Sequence, residues 1–360
     1  MKHALFILHD FAGGAERCNL ALLRAMLKAG IACRIACFSQ KGFFRDQVPA
    51  DVPVLCLPTL WNRARSLPGL TREANLVIAG VELQSHVWSA LLAPDRCVLQ
   101  YHKSLRHYLA GKGRLFGAIY RLAVAWSLRR CRKAICVSRD IQDFLRTLWP
   151  GVCVRLKCLP NFYDSERVLD GIDDPLPPDL ANFFDAPIIL GVGRLNREKN
   201  FGLLVKAFRI VRQAGLPCKL CILGEGPERA ALEKMLQRLG LERQALLPGS
   251  MPPYAAMRQA AVVCLSSDYE GFSTVLLEAL ALGCRIVATD AGGVRDILDH
   301  GRWGAVVPAG DAGRLAKALQ AALLQADTAE DRQARMKYAQ TYSREQVIPL
   351  WLSAHLEALQ

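Results

Sequence analysis

Residues 270–278 read Glu-Gly-Phe-Ser-Thr-Val-Leu-Leu-Glu, and the segments on either side decide what kind of unit they belong to. The run Ala261-Val262-Val263-Cys264-Leu265 before them is short, apolar and partly β-branched, the pattern of a strand buried in a parallel sheet. Ser273 or Thr274 is placed to cap a helix with interior 275–282, Gly283 ends it, and 285–288 supplies another strand. The unit is therefore strand, loop, helix, strand. In such units ligands bind outside the carboxyl ends of the strands, where the helix start presents free N–H groups. A spacing of eight does not superpose side chains on a helix, so Glu270 and Glu278 border one crevice only if Glu270 precedes the helix and Glu278 lies in its second turn.

The same alternation runs through the chain. Strands are expected at 4–8, 31–38, 52–57, 75–79, 97–101, 133–138 and 154–159, and again at 187–192 and 219–223, with helical patterns between them, so the sheets should be parallel. A chain of 360 residues exceeds one ordinary core. Two domains are expected, 1–169 and 170–342, with the Gly-, Pro- and Asp-rich segment 170–179 as linker. A closing helix at 343–360 follows, opened by the capping box Ser343-Arg344-Glu345-Gln346, with Val347, Leu350, Trp351, Ala354 and Ala358 as its apolar stripe and Pro349 early within it.

Glycines mark the strand-to-helix turns. Gly13 and Gly14 follow the first strand, where backbone without Cβ atoms lets N–H groups approach an anion closely. Gly191-x-Gly193 resembles a dinucleotide-binding turn, but its third glycine is replaced by Asn196 and the residues that follow are charged, which excludes that reading. Arg194 and Lys199 instead place two cations in the loop after a strand. Gly224 and Leu247 lie at two further strand ends, and His102 directly follows the strand 97–101. Asp268 and Glu270, separated by Tyr269, look like a metal-binding acidic pair but are read as loop and ligand groups.

Thirteen cysteines, an odd number scattered through strands and helices, point to reduced buried thiols rather than a disulfide framework. Cys218 and Cys221 have no second pair to complete a zinc site. No secretory segment or membrane-spanning run is evident, so a cytoplasmic protein is expected, at most peripheral on the inner face of the cell membrane. Residues 1–170 carry 25 Lys and Arg against 12 Asp and Glu, whereas 171–360 carry 21 of each. Between Asp95 and Asp140 there is no acid and there are eleven bases. Among them Arg114, Arg121 and Arg132 are expected to share one helical stripe beside the apolar Phe116, Ile119 and Trp126, with Arg129 and Arg130 close by. A solvated basic face of a core helix is one reading; contact with an anionic membrane or acceptor is the other. No nucleic-acid-binding module accompanies the basic run.

The pattern Glu-x7-Glu with Gly-Phe after the first Glu, together with Gly193-Arg194 and Lys199 and the Gly13-Gly14-Ala-Glu-Arg segment, resembles the retaining GT-B glycosyltransferases of family 4. The resemblance covers nearly the whole chain. It implies two Rossmann-like α/β domains with parallel sheets facing across a cleft, and a last helix that packs back across them. It further implies transfer of a hexose from a UDP- or GDP-sugar, as co-substrate and without cofactor or metal, to a glycan or lipid-linked acceptor of cell-envelope polysaccharide or lipopolysaccharide synthesis. In such enzymes Glu270 would hold the sugar, Glu278 the ribose, Arg194 and Lys199 the diphosphate, and His102 the sugar or acceptor side. Gly13, Gly14, Gly193, Gly224, Leu247, Gly271, Phe272, Ser273 and Thr274 would line the donor. Residues 160–164 read Pro-Asn-Phe-Tyr-Asp where many relatives have Pro-Asn-Gly, which puts the local turn in doubt. An epimerase of nucleotide sugars, or a non-catalytic binding subunit, would share the architecture.

Overall fold

The computed structural model describes residues 2–11, 13–42, 44–80, 83–110 and 112–359, without the side chains of residues 107, 110, 153 and 154. It divides into two compact units, Met1–Phe162 with Glu345–Gln360, and Tyr163–Arg344.

The first unit holds strands β1 (His3–Leu8), β2 (Ala32–Cys37), β3 (Val54–Cys56), β4 (Leu76–Ala79), β5 (Cys97–Tyr101), β6 (Lys133–Cys136) and β7 (Leu156–Cys158). They form one sheet in the order β3-β2-β1-β4-β5-β6-β7, and every pairing is parallel. The central strands are apolar on both faces because helices cover both, and Leu5 to Ile7, Leu76 to Ala79 and Cys97 to Leu99 are buried throughout.

The second unit holds β8 (Ile188–Val192), β9 (Lys219–Leu223), β10 (Ala245–Gly249), β11 (Val262–Leu265), β12 (Ile286–Thr289) and β13 (Ala305–Val307), in the parallel order β10-β9-β8-β11-β12-β13. Its core gathers Ile189, Leu204, Phe208, Leu220, Ile222, Val262 and Leu319. The direction of strand succession reverses between β8 and β11, and in the first unit between β1 and β4. At such a switch point the two following loops diverge to opposite faces and leave a crevice. Gly13 and Gly14 follow β1. In the second unit Arg194 and Lys199 follow β8, and Glu270 follows β11.

The chain passes between the units at 162/163 and 344/345, and the two passages run side by side: Tyr163 N–H donates to Tyr342 O (3.1 Å) and Arg344 N–H to Tyr163 O (3.0 Å). The Gly- and Pro-rich segment 170–179 therefore lies inside the second unit, where Gly171 packs under the Tyr254 ring so closely that a Cβ would stand 2.5 Å from it. The closing helix Arg344–Leu356 gives most of its length to the first unit. Val347, Trp351, Ala354 and Ala358 are buried as expected, but Leu350 is 51% exposed and His355 takes an inward place instead.

The basic helix runs Arg114–Arg130. Arg132 lies beyond it, because the chain turns at Cys131 to start β6 and its N–H donates to Cys97 O. The single stripe expected of Arg114, Arg121 and Arg132 thus does not form. The inward face of this helix is Val124, Ser127 and Leu128. Its outward face is also apolar: Leu115, Ile119 and Leu122 are 77%, 59% and 70% exposed, and Trp126 continues the row. No helix among the described residues is long and apolar enough to cross a membrane.

Candidate active site

In the second unit the loops after β8, β9 and β11 are locked to one another at the carboxyl edge of the sheet. Gly224 has φ +149°, and a Cβ there would stand 1.9 Å from Gly193 O. Only glycine allows the two loops to touch backbone to backbone. Leu195 N–H donates to Glu225 O and Glu228 N–H to Leu195 O, both at 2.9 Å. Asn196 Oδ1 accepts from Lys199 N–H at 3.1 Å, which closes a short turn and aims the lysine side chain along Gly193.

Lys199 Nζ then meets Glu270 Oε1 at 2.5 Å, with the two side chains only 20% and 13% exposed. Ser267 Oγ donates to the same oxygen at 2.7 Å, so among the described residues Glu270 is held through one oxygen only. The loop carrying Glu270 is fastened behind it. Ser266 Oγ donates to Lys199 O at 2.9 Å, Asn200 Nδ2 to Asp268 Oδ1 at 2.7 Å, and Tyr269 OH to Glu198 Oε1 at 2.5 Å. Asp268 and Tyr269 therefore build the loop, and no three His, Cys, Asp or Glu side chains among the described residues converge as a metal set. Arg194 projects from the same loop as Lys199, exposed and without a carboxylate partner among the described residues.

Glu270 precedes the helix Thr274–Ala281 and Glu278 sits in its second turn, buried, the placement that a crevice bordered by both would need. Ser273 occupies the N-cap position, but its hydroxyl caps nothing: Oγ is buried with no hydrogen-bond partner among the described residues. Gly271 and Phe272 are buried beside it, the Phe272 ring 5.8 Å from that of Tyr342, and Thr274 is half-buried. An orphan hydroxyl at a helix start, next to a half-used carboxylate and two cations, suits an anionic ligand with sugar-like hydroxyls. Leu247 is buried, and its carbonyl accepts from Arg229 Nη2 at 2.7 Å, so that group is engaged within the protein.

In the first unit Gly13 has φ +120° and precedes the helix Gly14–Lys28. His102 follows β5 as expected, but it is buried and stacked on Trp351, ring centroids 5.4 Å apart. Burial drives its imidazole down to about 3, opposed only in part by the side chain of Asn161. It is neutral throughout the physiological range. None of the twelve cysteines whose side chains are described forms a disulfide, and burial raises Cys218 and pushes Cys221 up to about 12. Cys153 lies outside the described side chains.

Sequence reasoning passed over Ser267, Asn196 and Asn200, which position Glu270, Lys199 and the loop behind them. Their signal was present as small polar residues at the ends of buried strands and before helices, a pattern too common to single out.

The model of the Glycosyltransferase Family 4 domain matches residues 12–167, and that of Glycosyl transferases group 1 matches residues 175–341. A protein named for colanic acid biosynthesis, the glycosyltransferase WcaL of Escherichia coli, is 31% identical over 241 residues, 61% of this chain and 57% of that protein. The GDP-mannose-dependent alpha-(1-6)-phosphatidylinositol monomannoside mannosyltransferase of Mycobacterium tuberculosis is 26% identical over 289 residues, 73% of each. With several other curated relatives the match spans less than half of their length, for example 46% and 32%. The crystal structure of Anabaena HepE in complex with UDP and glucose superposes with a TM-score of 0.82, at 19% identity, covering 99% of this chain and 100% of that one. That likeness assigns the GT-B fold. With its two halves matched in order by these two models over nearly its whole length, the chain belongs to family 4 of the GT-B glycosyltransferases, the glycosyl transferases of group 1.

Proposed function

We propose that this protein transfers a hexose from a uridine or guanosine diphosphate sugar to a hydroxyl of a glycan or lipid-linked glycan, with retention of the anomeric configuration. The observation that carries this reading is the Lys199–Glu270 pair at the switch point of the second unit, with Arg194 exposed on the same loop as Lys199 and the Ser273 hydroxyl without a partner among the described residues. When the bond from C1 to the diphosphate breaks, negative charge grows on the leaving oxygen, and Arg194 and Lys199 are the cations suited to stabilise it. These two cations and the helix start do the work that a metal does elsewhere, so none is required. The open oxygen of Glu270 holds sugar hydroxyls, and Glu278 the ribose. The acceptor oxygen bonds C1 on the face the diphosphate leaves, and its proton passes to that phosphate.

The test is a panel of nucleotide sugars given to purified protein with membrane extract, scoring released UDP or GDP and the product. A new glycoside with the donor's anomeric configuration is expected. An epimerised donor, or binding without turnover, would replace this reading.

The helix Arg114–Arg130 supports an acceptor held at a membrane. A face of Leu115, Ile119, Leu122 and Trp126, with Lys112, Arg114, Arg129 and Arg130 at its ends, has the build of a helix lying in an anionic bilayer surface. Each base near that surface adds about 1 kcal/mol. Ile119→Glu with Leu122→Glu is expected to weaken co-sedimentation with phosphatidylglycerol-containing vesicles at least tenfold, the loss of two buried aliphatic side chains, about 1.5–3 kcal/mol each. Because both sites are exposed, the melting temperature should stay unchanged. Equal weak binding of the parent protein to anionic and neutral vesicles would remove the membrane from the proposal.

A further inference from the structure

The amino-terminal edge of the first sheet carries a second cationic feature, on the edge opposite Gly13, Gly14 and His102. The segments that enter β5, β6 and β7 meet there around a cavity of about 250 Å3 lined by Pro94, Asp95, Arg130, Cys131, Arg132 and Arg155. Three arginines and one aspartate line it, and among the described residues none of the three arginines lies within salt-bridge distance of any acid. Elsewhere in the molecule clustered arginines are neutralised: Asp327 accepts from both Arg332 and Arg335, with Arg285 3.8 Å away.

Two of the three, Arg130 and Arg155, are also held in place without using up their donors. Arg130 Nε donates to Ala90 O at 3.0 Å, and its guanidinium lies 5.2 Å from the centre of the Trp126 ring. Arg155 Nη1 donates to Cys131 O at 3.0 Å and to Arg129 O at 3.3 Å. A guanidinium has five N–H groups, so each keeps several for a ligand while its stem is fixed. Arg132 is exposed, its side chain makes no hydrogen bond or ion pair among the described residues, and it can close on a bound group. Preorganised, unpaired guanidinium forks around a concave site match the bidentate geometry of phosphate oxygens. The volume falls below the roughly 300–1,000 Å3 of sites for larger organic ligands and fits a phosphate group with little attached.

We propose that Arg130, Arg132 and Arg155 form a binding site for a phosphate-bearing anion at the amino-terminal edge of the first unit's sheet. The ligand is a phosphate monoester or diester group, carried either by a soluble molecule or by a phospholipid headgroup. This goes beyond transfer chemistry, because the site lies away from the loops that carry the sequence motifs, and binding of a soluble anion requires no membrane.

Two probes separate the sources. Inorganic phosphate and glycerol 3-phosphate are titrated by calorimetry into the full chain at low salt, and phosphatidylcholine vesicles with and without phosphatidic acid are tested by co-sedimentation. Arg132→Gln and Arg155→Gln are compared with Arg209→Gln, which removes the same charge from an exposed site in the other unit. A soluble source predicts saturable binding in the calorimeter that each site variant weakens about tenfold and the control leaves alone. A lipid source predicts no soluble binding, and loss of the preference for phosphatidic acid in the site variants only. Loss of affinity shared equally with the control, or no effect of Arg132→Gln on either probe, overturns the proposal. Arg132 decides even if Arg155→Gln unfolds, because its side chain is exposed and makes no hydrogen bond or ion pair among the described residues.

Discussion

Glu270→Ala is expected to lower kcat/KM for donor turnover about a thousandfold and Lys199→Ala about a hundredfold, with the double variant little worse than Glu270→Ala alone. The magnitude follows from removing one preorganised group that meets transition-state charge, roughly 10²–10³ in rate, and for Glu270 from removing its hold on the bound sugar as well. The non-additivity follows from the 2.5 Å approach of Nζ to Oε1, since groups that act as a unit fail together. Each single variant also leaves its partner charged and mostly shielded from water, at 20% and 13% exposure. Breaking a fully buried pair costs about 3–5 kcal/mol, and residual solvent access reduces that here. Glu270→Gln separates the two effects, because its amide oxygen still accepts from Ser267 and Lys199 while the charge is gone. Its melting temperature should stay near the parent's while turnover falls. Single-turnover kinetics and thermal melts on the same preparations check this. Near-parental turnover in Glu270→Ala, with unchanged donor affinity, would sink the assignment.

The sequence spoke most clearly where one physical demand acted alone. Buried parallel strands need apolar residues on both faces, and so β5 and β9 lie where the runs 97–101 and 219–223 placed them. β13 (Ala305–Val307) escaped because it is three residues long and its first residue is exposed, so no burial demand marked it. The Glu270–Glu278 spacing gave the right relation to the helix, but not that Glu270 is fixed by Lys199 and Ser267, the former reaching it from a loop 71 residues away in the chain. Helical periodicity misplaced Arg132 because a periodic pattern does not show where the chain must leave the helix to enter β6. It placed Leu350 inside because apolar character ranks leucine above histidine. In the fold the inward site went to His355, whose ring nitrogens both find partners there. Hydropathy does not measure such satisfaction of polar atoms.

That buried histidine sets the second large expected effect, a loss of stability of the first unit as pH falls from 6.5 toward 4. His355 Nδ1 lies 2.7 Å from Trp351 O and Nε2 lies 3.1 Å from Gln100 Nε2. A carbonyl only accepts, so Nδ1 carries the proton and Nε2 accepts from the Gln100 amide. Protonating Nε2 would set two donors against each other, away from water. Burial accordingly pushes His355 down to about 4, and the Lys133 charge adds to it. His102, also stacked on Trp351, is pushed to about 3 by burial, with His86 and His355 acting in the same direction. Both values lie below the unfolded value near 6.5. The unfolded chain therefore binds more protons between those limits, so stability is full above about pH 6.5 and declines below it. The slope is at most about 1.4 kcal/mol per pH unit for each histidine, which over two units approaches 5 kcal/mol for the pair, a large share of a domain's stability. Because Trp351 stacks with both rings and donates to Pro160 O at 2.9 Å, the closing helix should be the first element to leave. Thermal melts across this range, with hydrogen exchange on 345–359, test it. His102→Gln with His355→Gln should flatten the acid limb, and an unchanged slope in that double variant would assign the acid sensitivity to other groups.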